Sequence, residues 1–192
     1  NGNMALSIAK GLKDNYKIEV VGRNLEKLDK FESELGVKIE KSLMDDYNTE
    51  GKTIIFCVKP ANVEEVATRI TGRARVIYSV LAGTTVAKLK QNLHPSAVVR
   101  AMPNLAAQVG KSMTALTGDE EFRSEAEELL GTIGETLWLS TEKELDIATA
   151  LAGRGPAYLT LIAEALTDGA VKQGMKRAEA MATMRGLFAG FG

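Results

Sequence analysis

Gly2-Asn3-Met4-Ala5, followed by Ile18-Glu19-Val20-Val21-Gly22-Arg23-Asn24, decides the fold. The first stretch opens a run of small and apolar residues, Met4–Leu12, that reads as a helix. The second is a β-branched run that turns at Gly22-Arg23-Asn24 into Leu25–Leu35. There Leu25, Leu28, Phe31 and Leu35 recur at helix spacing. A glycine just before a helix removes the Cβ that would keep a phosphate away from the helix's first N–H groups. Gly2 and Ala5 then take the second and third small positions of a G-x-G-x-x-G/A dinucleotide fingerprint. Its first glycine and first strand would lie ahead of Asn1. In that fingerprint the second strand ends in an acid for NAD, or has an Arg close by for NADP. No acid stands at the end of Ile18–Val21. Arg23 offers a bidentate guanidinium and Lys27, one turn into the helix, a point charge. NADPH is the expected cofactor and NADH the alternative.

Working outward, the runs Thr53–Val58, Val76–Val80 and Ala97–Arg100 are apolar without alternation, as in parallel strands covered on both faces. Helical patterns lie between them over Asn62–Ile70 and Val86–Leu93. This alternation predicts βαβ units on a parallel sheet. Open sheets of this kind bind ligands beyond the carboxyl ends of their strands. That draws attention to the loops Val58-Lys59-Pro60, Ala82-Gly83 and Met102-Pro103-Asn104. Ser112–Leu116 and Glu135–Leu139 read as strands flanking an acidic helix, Glu120–Leu130. After Ser140 there are no strand signals. Thr141 and Glu144 fit a capping box, and Pro156 fits the first turn of a long helix that Gly174 closes. A further helix starts near Arg177. The fold class is therefore α/β: a Rossmann-type domain over residues 1–140, its first strand missing, then the start of an all-α domain over 141–192. The opening Asn1 and the apolar helical ending through Gly192 make both ends read as truncations. A chain limited to 1–192 is expected to fold poorly and to lack activity.

The helix Pro156–Lys172 is apolar nearly all round, apart from a line of Glu164, Asp168 and Lys172 that reads as an ion-paired stripe. Such a helix needs cover on most sides. The cover is a partner subunit, or a further segment of the same chain. The 24 Lys+Arg against 25 Asp+Glu leave a net charge of −1, so there is no basic field for nucleic acid or an anionic membrane. No apolar run approaches the ~18 residues of a membrane span, and no secretory leader pattern is present. Cys57 is the single cysteine, so no internal disulfide forms, and Cys/His metal spacing is absent. A cytoplasmic location is expected. His94 reads as a surface residue, Cys57 as an inert small hydrophobe and Trp138 as core.

In order along the chain stand G-N-M-A at 2–5, V-K-P at 58–60, A-G at 82–83, M-P-N at 102–104, G-x-G-P-A-Y at 153–158 and E-A-L-x-D-G at 164–169. This set resembles the pyrroline-5-carboxylate reductase family over essentially the whole chain. The resemblance implies a Rossmann domain that binds NAD(P)H and an all-α domain that interleaves two subunits, often assembled further into a decamer. It implies reduction of 1-pyrroline-5-carboxylate to L-proline, the last step of proline biosynthesis. By the same resemblance, Gly2, Asn3 and Met4 meet the pyrophosphate, Arg23 and Asn24 the adenosine phosphate, and Val58, Lys59 and Pro60 the ribose. Ala82 and Gly83, with Met102, Pro103 and Asn104, match the nicotinamide end. Gly153, Arg154, Gly155, Pro156 and Ala157 border the imino-acid site. Arg154 replaces the family's usual Ser; it either pairs the substrate carboxylate, faces solvent or crowds the pocket. The family's Gly- and Thr-rich substrate loop lies beyond Gly192, and no residue in this sequence is demanded as a proton donor. The alternatives are a non-catalytic dinucleotide-binding or dimerisation module, and a reductase of another small imino or keto acid.

Overall fold

The computed structural model describes residues 2–190; Asn1, Phe191 and Gly192 lie outside the described residues. The chain divides into two compact units, one up to Gly153 and one from Arg154.

The first unit begins with α1 (Asn3–Leu12), which buries Ile8, Ala9 and Leu12. It continues through β1 (Glu19–Gly22) and α2 (Leu25–Leu35). Asn24 caps α2, its side chain accepting from the Lys27 N–H, and Leu28, Phe31 and Leu35 are the buried stripe, as their spacing predicts. Next come β2 (Glu40–Leu43), β3 (Tyr47–Asn48), β4 (Thr53–Phe56), α3 (Val63–Ala67), β5 (Ile70–Thr71), β6 (Val76–Ser79), α4 (Val86–Leu93) and β7 (Ala97–Met102). The unit closes with β8 (Ser112–Gly118), α5 (Arg123–Gly131), β9 (Gly134–Trp138), α6 (Glu142–Ala148) and a π-helical turn, Thr149–Gly153.

Strands β4, β6, β7, β8 and β9 form one sheet in that order. Thr53, Val76 and Ala97 are in register across the parallel trio β4, β6 and β7. β8 runs antiparallel to β7, so the sheet is mixed rather than wholly parallel. The connection from β7 to β8 is short and contains no crossover helix, which parallel pairing would need. β1 pairs with β2 in a separate parallel pair, as β3 does with β5. The helix expected over Asn62–Ile70 is broken up. Only Val63 and Val66 of α3 are buried, and Ile70–Thr71 is drawn into pairing with Tyr47–Asn48. β2, with its Glu-Lys-Ser-Leu sequence, carries no apolar pattern; it forms by backbone pairing with β1, supported by Lys41, which donates to Asp29 and Glu32 of α2, and Ser42, which donates to Glu19 of β1. Trp138 is half-buried on the edge strand, packed against the core rather than within it.

Among the described residues, β1 and β4 each have one edge without a partner strand, and a cavity of about 490 Å³ lies between them. The carbonyls of Ile18 and Gly22 accept from Glu40 and Met44 on the β2 side, and those of Lys52 and Phe56 from Arg75 and Val80 on the β6 side. Alternation along each strand therefore turns the backbone groups of Glu19, Val21, Thr53, Ile55 and Cys57 towards the cavity. Ile8, Leu12, Ile55 and Phe56 line it, so the slot suits an extended apolar strand with hydrogen bonds on both sides.

Leu145 of α6 is fully buried and α6 packs on β8, so α6 belongs to the compact sheet-bearing unit that ends at Gly153. In the second unit, α7 (Gly155–Lys172) and α8 (Arg177–Ala189) pack on one another. Pro156 lies in the first turn of α7, and Gly174 follows the helix with φ +102°. The Glu164, Asp168, Lys172 stripe is not internally paired as expected: Asp168 accepts from Arg177 Nη1 at 2.8 Å. The start of α8 brings that guanidinium closer than a neighbour along the same helix. Tyr158, Leu159, Leu161, Ile162 and Leu166 of α7 are all at least half exposed.

Fusing an extended β-branched segment of about five residues ahead of residue 1 should raise the urea midpoint above that given by a Gly/Ser segment of equal length. Identical midpoints would show that the slot does not take a strand.

Candidate active site at the carboxyl edge of the sheet

The parallel register of β4, β6 and β7 places the ends of these strands side by side on one edge. From there the chain enters Val58-Lys59-Pro60, Ala82-Gly83 and Met102-Pro103-Asn104. α1 packs against the turn Leu105–Val109 that follows Asn104, which brings Gly2, Asn3 and Met4 to the same region. Val58, Met102, Pro103 and Asn104 are half-buried; Gly2, Asn3, Lys59, Pro60, Ala82 and Gly83 are exposed.

The edge has the physical features that a dinucleotide needs. The first N–H groups of α1 have no side-chain cap, and a Cβ added at Gly2 would meet nothing within 4 Å. An anion can therefore come up to the helix N-terminus. Gly83 adopts φ +65°, a left-handed conformation that glycine takes without steric cost, and the space before it is open. Pro60 starts a 3-10 turn leading into α3, so the Val58–Pro60 stretch leaves its strand at a fixed angle.

Arg23 and Lys27 are both exposed at the carboxyl end of β1. Arg23 is already engaged: Nη1 donates to Glu65 Oε1 at 3.1 Å, and Glu65 also accepts from Arg69 Nη1 at 3.2 Å. Arg69 in turn donates to Asp45 at 2.6 Å, and this hydrogen bond holds the Asp45 carboxyl below its usual range. A phosphate at Arg23 must displace a carboxylate that already marks an anion position. Asn24 Oδ1 is taken up in capping α2, which leaves its amide group free to face a ligand.

Glu65 is one residue that sequence reasoning missed, since nothing in Val63–Ala67 signals a partner for Arg23. Two others are Arg100 and Glu142. Arg100 is a lone charge in the apolar run Ala97–Met102, and a charge so placed requires partners. Its side chain is 1% exposed; Nη1 donates to Glu142 Oε1 at 2.8 Å and Nη2 to Asp146 Oδ1 at 3.1 Å. Asn104 Nδ2 donates to the Ala152 carbonyl at 3.1 Å, in the π-helical turn.

Among the described residues no His/Cys/Asp/Glu cluster suits a metal, and no helix is long and apolar enough to cross a membrane. Cys57 packs against the core at the wall of the slot, and desolvation pushes its thiol up to about 12. His94 is an exposed C-cap with φ +48°.

This arrangement is matched in known proteins. Residues 1–83 match the family model described as "NADP oxidoreductase coenzyme F420-dependent", and residues 142–192 match "Pyrroline-5-carboxylate reductase dimerisation". The chain is 34% identical to a pyrroline-5-carboxylate reductase of Glycine max, over 92% of its own length and 68% of that protein. It is 34% identical to one from Thermus thermophilus, over 94% of this chain and 71% of that protein. The structure of a pyrroline-5-carboxylate reductase from Coxiella burnetii superposes with a TM-score of 0.83 at 28% identity, covering 98% of this chain and 74% of that one. Fold, edge geometry and matched models together define an oxidoreductase of the nicotinamide-dinucleotide class. More narrowly, the chain belongs to the pyrroline-5-carboxylate reductase family, and its C-terminal segment is that family's dimerisation region.

Two measurements check the local geometry. Gly83→Ala should lose about 1 kcal/mol of stability in urea unfolding, because an L-residue is strained in the left-handed region. At pH 8, Cys57 should react with a disulfide reagent at least about a hundredfold more slowly than a free cysteine of ordinary pKa, since almost none of it is thiolate.

Proposed function

We propose that this chain binds NADPH along the carboxyl edge of its sheet and reduces 1-pyrroline-5-carboxylate to L-proline. The observation that carries the proposal is that G-N-M-A, V-K-P, A-G and M-P-N, far apart in sequence, converge on one edge in a chain of this family. The N–H groups of α1 beside Gly2, Asn3 and Met4 receive the pyrophosphate. Arg23, Asn24 and Lys27 receive the adenosine end. Val58, Lys59 and Pro60 flank the ribose, and Ala82, Gly83, Met102, Pro103 and Asn104 hold the nicotinamide. When bound, the reduced cofactor supplies the hydride for the imine carbon. The chain's part is orientation: Gly153, Gly155, Pro156 and Ala157 border the ring, and Arg154 pairs its carboxylate. The imine nitrogen takes up a proton to become the amine, and its C=N⁺ form needs no side-chain acid from this chain.

The 2′-phosphate of NADPH exchanges Glu65 for a stronger, doubly charged partner at Arg23. NADH offers Arg23 nothing in return, so NADPH is preferred and NADH serves poorly. The helical region from residue 141 forms a homodimer through the apolar face of α7, and such dimers assemble further into decamers. A cytoplasmic site of action goes with a proline-biosynthetic role.

The test is NADPH oxidation followed by absorbance, with and without the imine. Imine-dependent oxidation supports the reading; a chain that binds NADPH but never oxidises it is a non-catalytic module. Arg23→Ala should shrink the NADPH-over-NADH preference by about tenfold or more, at 1.5–3 kcal/mol for a charge-assisted contact. Glu65→Gln should enlarge it by freeing Arg23. Equal affinities for the two cofactors in the parent protein would refute the assignment. Leu159→Asp and Leu166→Asp should each give monomer or aggregate in sedimentation, because a charge is forced into an apolar interface. Unchanged sedimentation of both would place that face outside the interface.

A further inference from the structure

Arg100 has the largest fully buried side chain in the structure, and it sits at the middle of the strand that leads to Met102-Pro103-Asn104. Its guanidinium reaches out of the sheet to α6, where Glu142 and Asp146, one turn apart, receive it. The same Glu142 Oε1 also accepts from the Val86 backbone N–H at 2.9 Å. Val86 is the first residue of α4 and lies just beyond Gly83, so this carboxylate satisfies one of the helix's unpaired N–H groups. One oxygen thus joins the loop after β6, the strand before the next loop, and the first residue of α6.

A second tie runs from that next loop. Asn104 donates to the Ala152 carbonyl in the π-helical turn and accepts from the Ala106 N–H. Its own N–H donates to Ser112 Oγ at 3.1 Å. A π-helical turn is a costly conformation that persists only where its surroundings hold it. Arg100 Nε, buried without a hydrogen-bond partner, adds a second cost. A buried ion pair is seldom an efficient means of stabilisation, since apolar residues of the same volume do as well or better. This arrangement therefore calls for a role other than stability.

We propose that Arg100 and Glu142 are positioning residues, which fix the loops after β6 and β7 and the turn Thr149–Gly153 as one rigid edge, so that the imine meets the cofactor in a set geometry. This rests on the function proposed above. Glu142 acts through Val86, and Arg100 through its grip on α6, which runs into the π-helical turn that Asn104 holds from the next loop. A displacement of about 1 Å in such a frame is enough to lower turnover by up to a hundredfold.

The test compares the parent with Glu142→Leu and with the pair Glu142→Leu/Arg100→Met. The single variant leaves a buried guanidinium short of a partner and should lower the melting temperature. The pair removes both charges and should restore the melting temperature to near the parent value. If the residues position the edge, the pair nevertheless keeps a kcat reduced by about tenfold or more, with the Kd for NADPH within about threefold of the parent. Amide hydrogen exchange over residues 83–88 and 149–153 should also quicken in the pair, while that of Ala97–Val99 stays slow. A stable pair with parental kcat and parental exchange would overturn the proposal. If the parent itself does not reduce the imine, the functional reading fails separately, and the exchange comparison still decides whether Arg100 and Glu142 hold the edge.

Discussion

Parallel pairing of β4, β6 and β7 is the constraint on which the rest depends. A parallel strand can be followed by another only after a crossover, and each crossover must leave from the same end. With Thr53, Val76 and Ala97 in register, three loops are forced onto one edge without any of them having to find the others. The core is what fixes that register. Val76, Ile77, Tyr78, Ala97, Val98 and Val99 are buried on both faces of the sheet, so a slip of one residue would exchange two packed surfaces. The chemistry at the edge is assembled by burial elsewhere.

Two features of the described chain are incomplete in themselves. The slot between β1 and β4 has backbone groups facing it from both sides, and its walls are apolar. In the second unit, α7 presents Leu159, Leu161 and Ile162 to solvent, with Thr167 as its single buried residue. Apolar surface of that extent marks a site of association. The match of residues 142–192 to a dimerisation region agrees with this physical reading.

Much of the fold was legible in the sequence because its signals were strong and local. Leu28, Phe31 and Leu35 mark the buried face of α2, and Thr141 with Glu144 forms the capping box that their spacing predicts, both hydrogen bonds included. β2 and β5 were illegible, since neither carries an apolar pattern and both exist through pairing with distant strands. The antiparallel turn at β8 was hidden for a similar reason: apolar runs of that length do not state their direction. At the site, glycines and prolines were legible as punctuation. The partners Glu65 and Glu142 were not, because an exposed-looking Glu on a helix gives no sign of which distant arginine it meets. Arg100 was the exception in principle, a charge in a run of buried apolar residues.

Delivery of hydride from the carboxyl edge to the imine carbon of a cyclic imino acid can be followed atom by atom. The most direct measurement uses NADPH carrying deuterium at the transferable nicotinamide position, incubated with the protein and 1-pyrroline-5-carboxylate, with the product read by mass spectrometry and NMR. Hydride transfer at this edge gives proline with one deuterium, located on the ring carbon that was doubly bonded to nitrogen. Deuterium elsewhere, or no proline at all in the presence of bound cofactor, would contradict it.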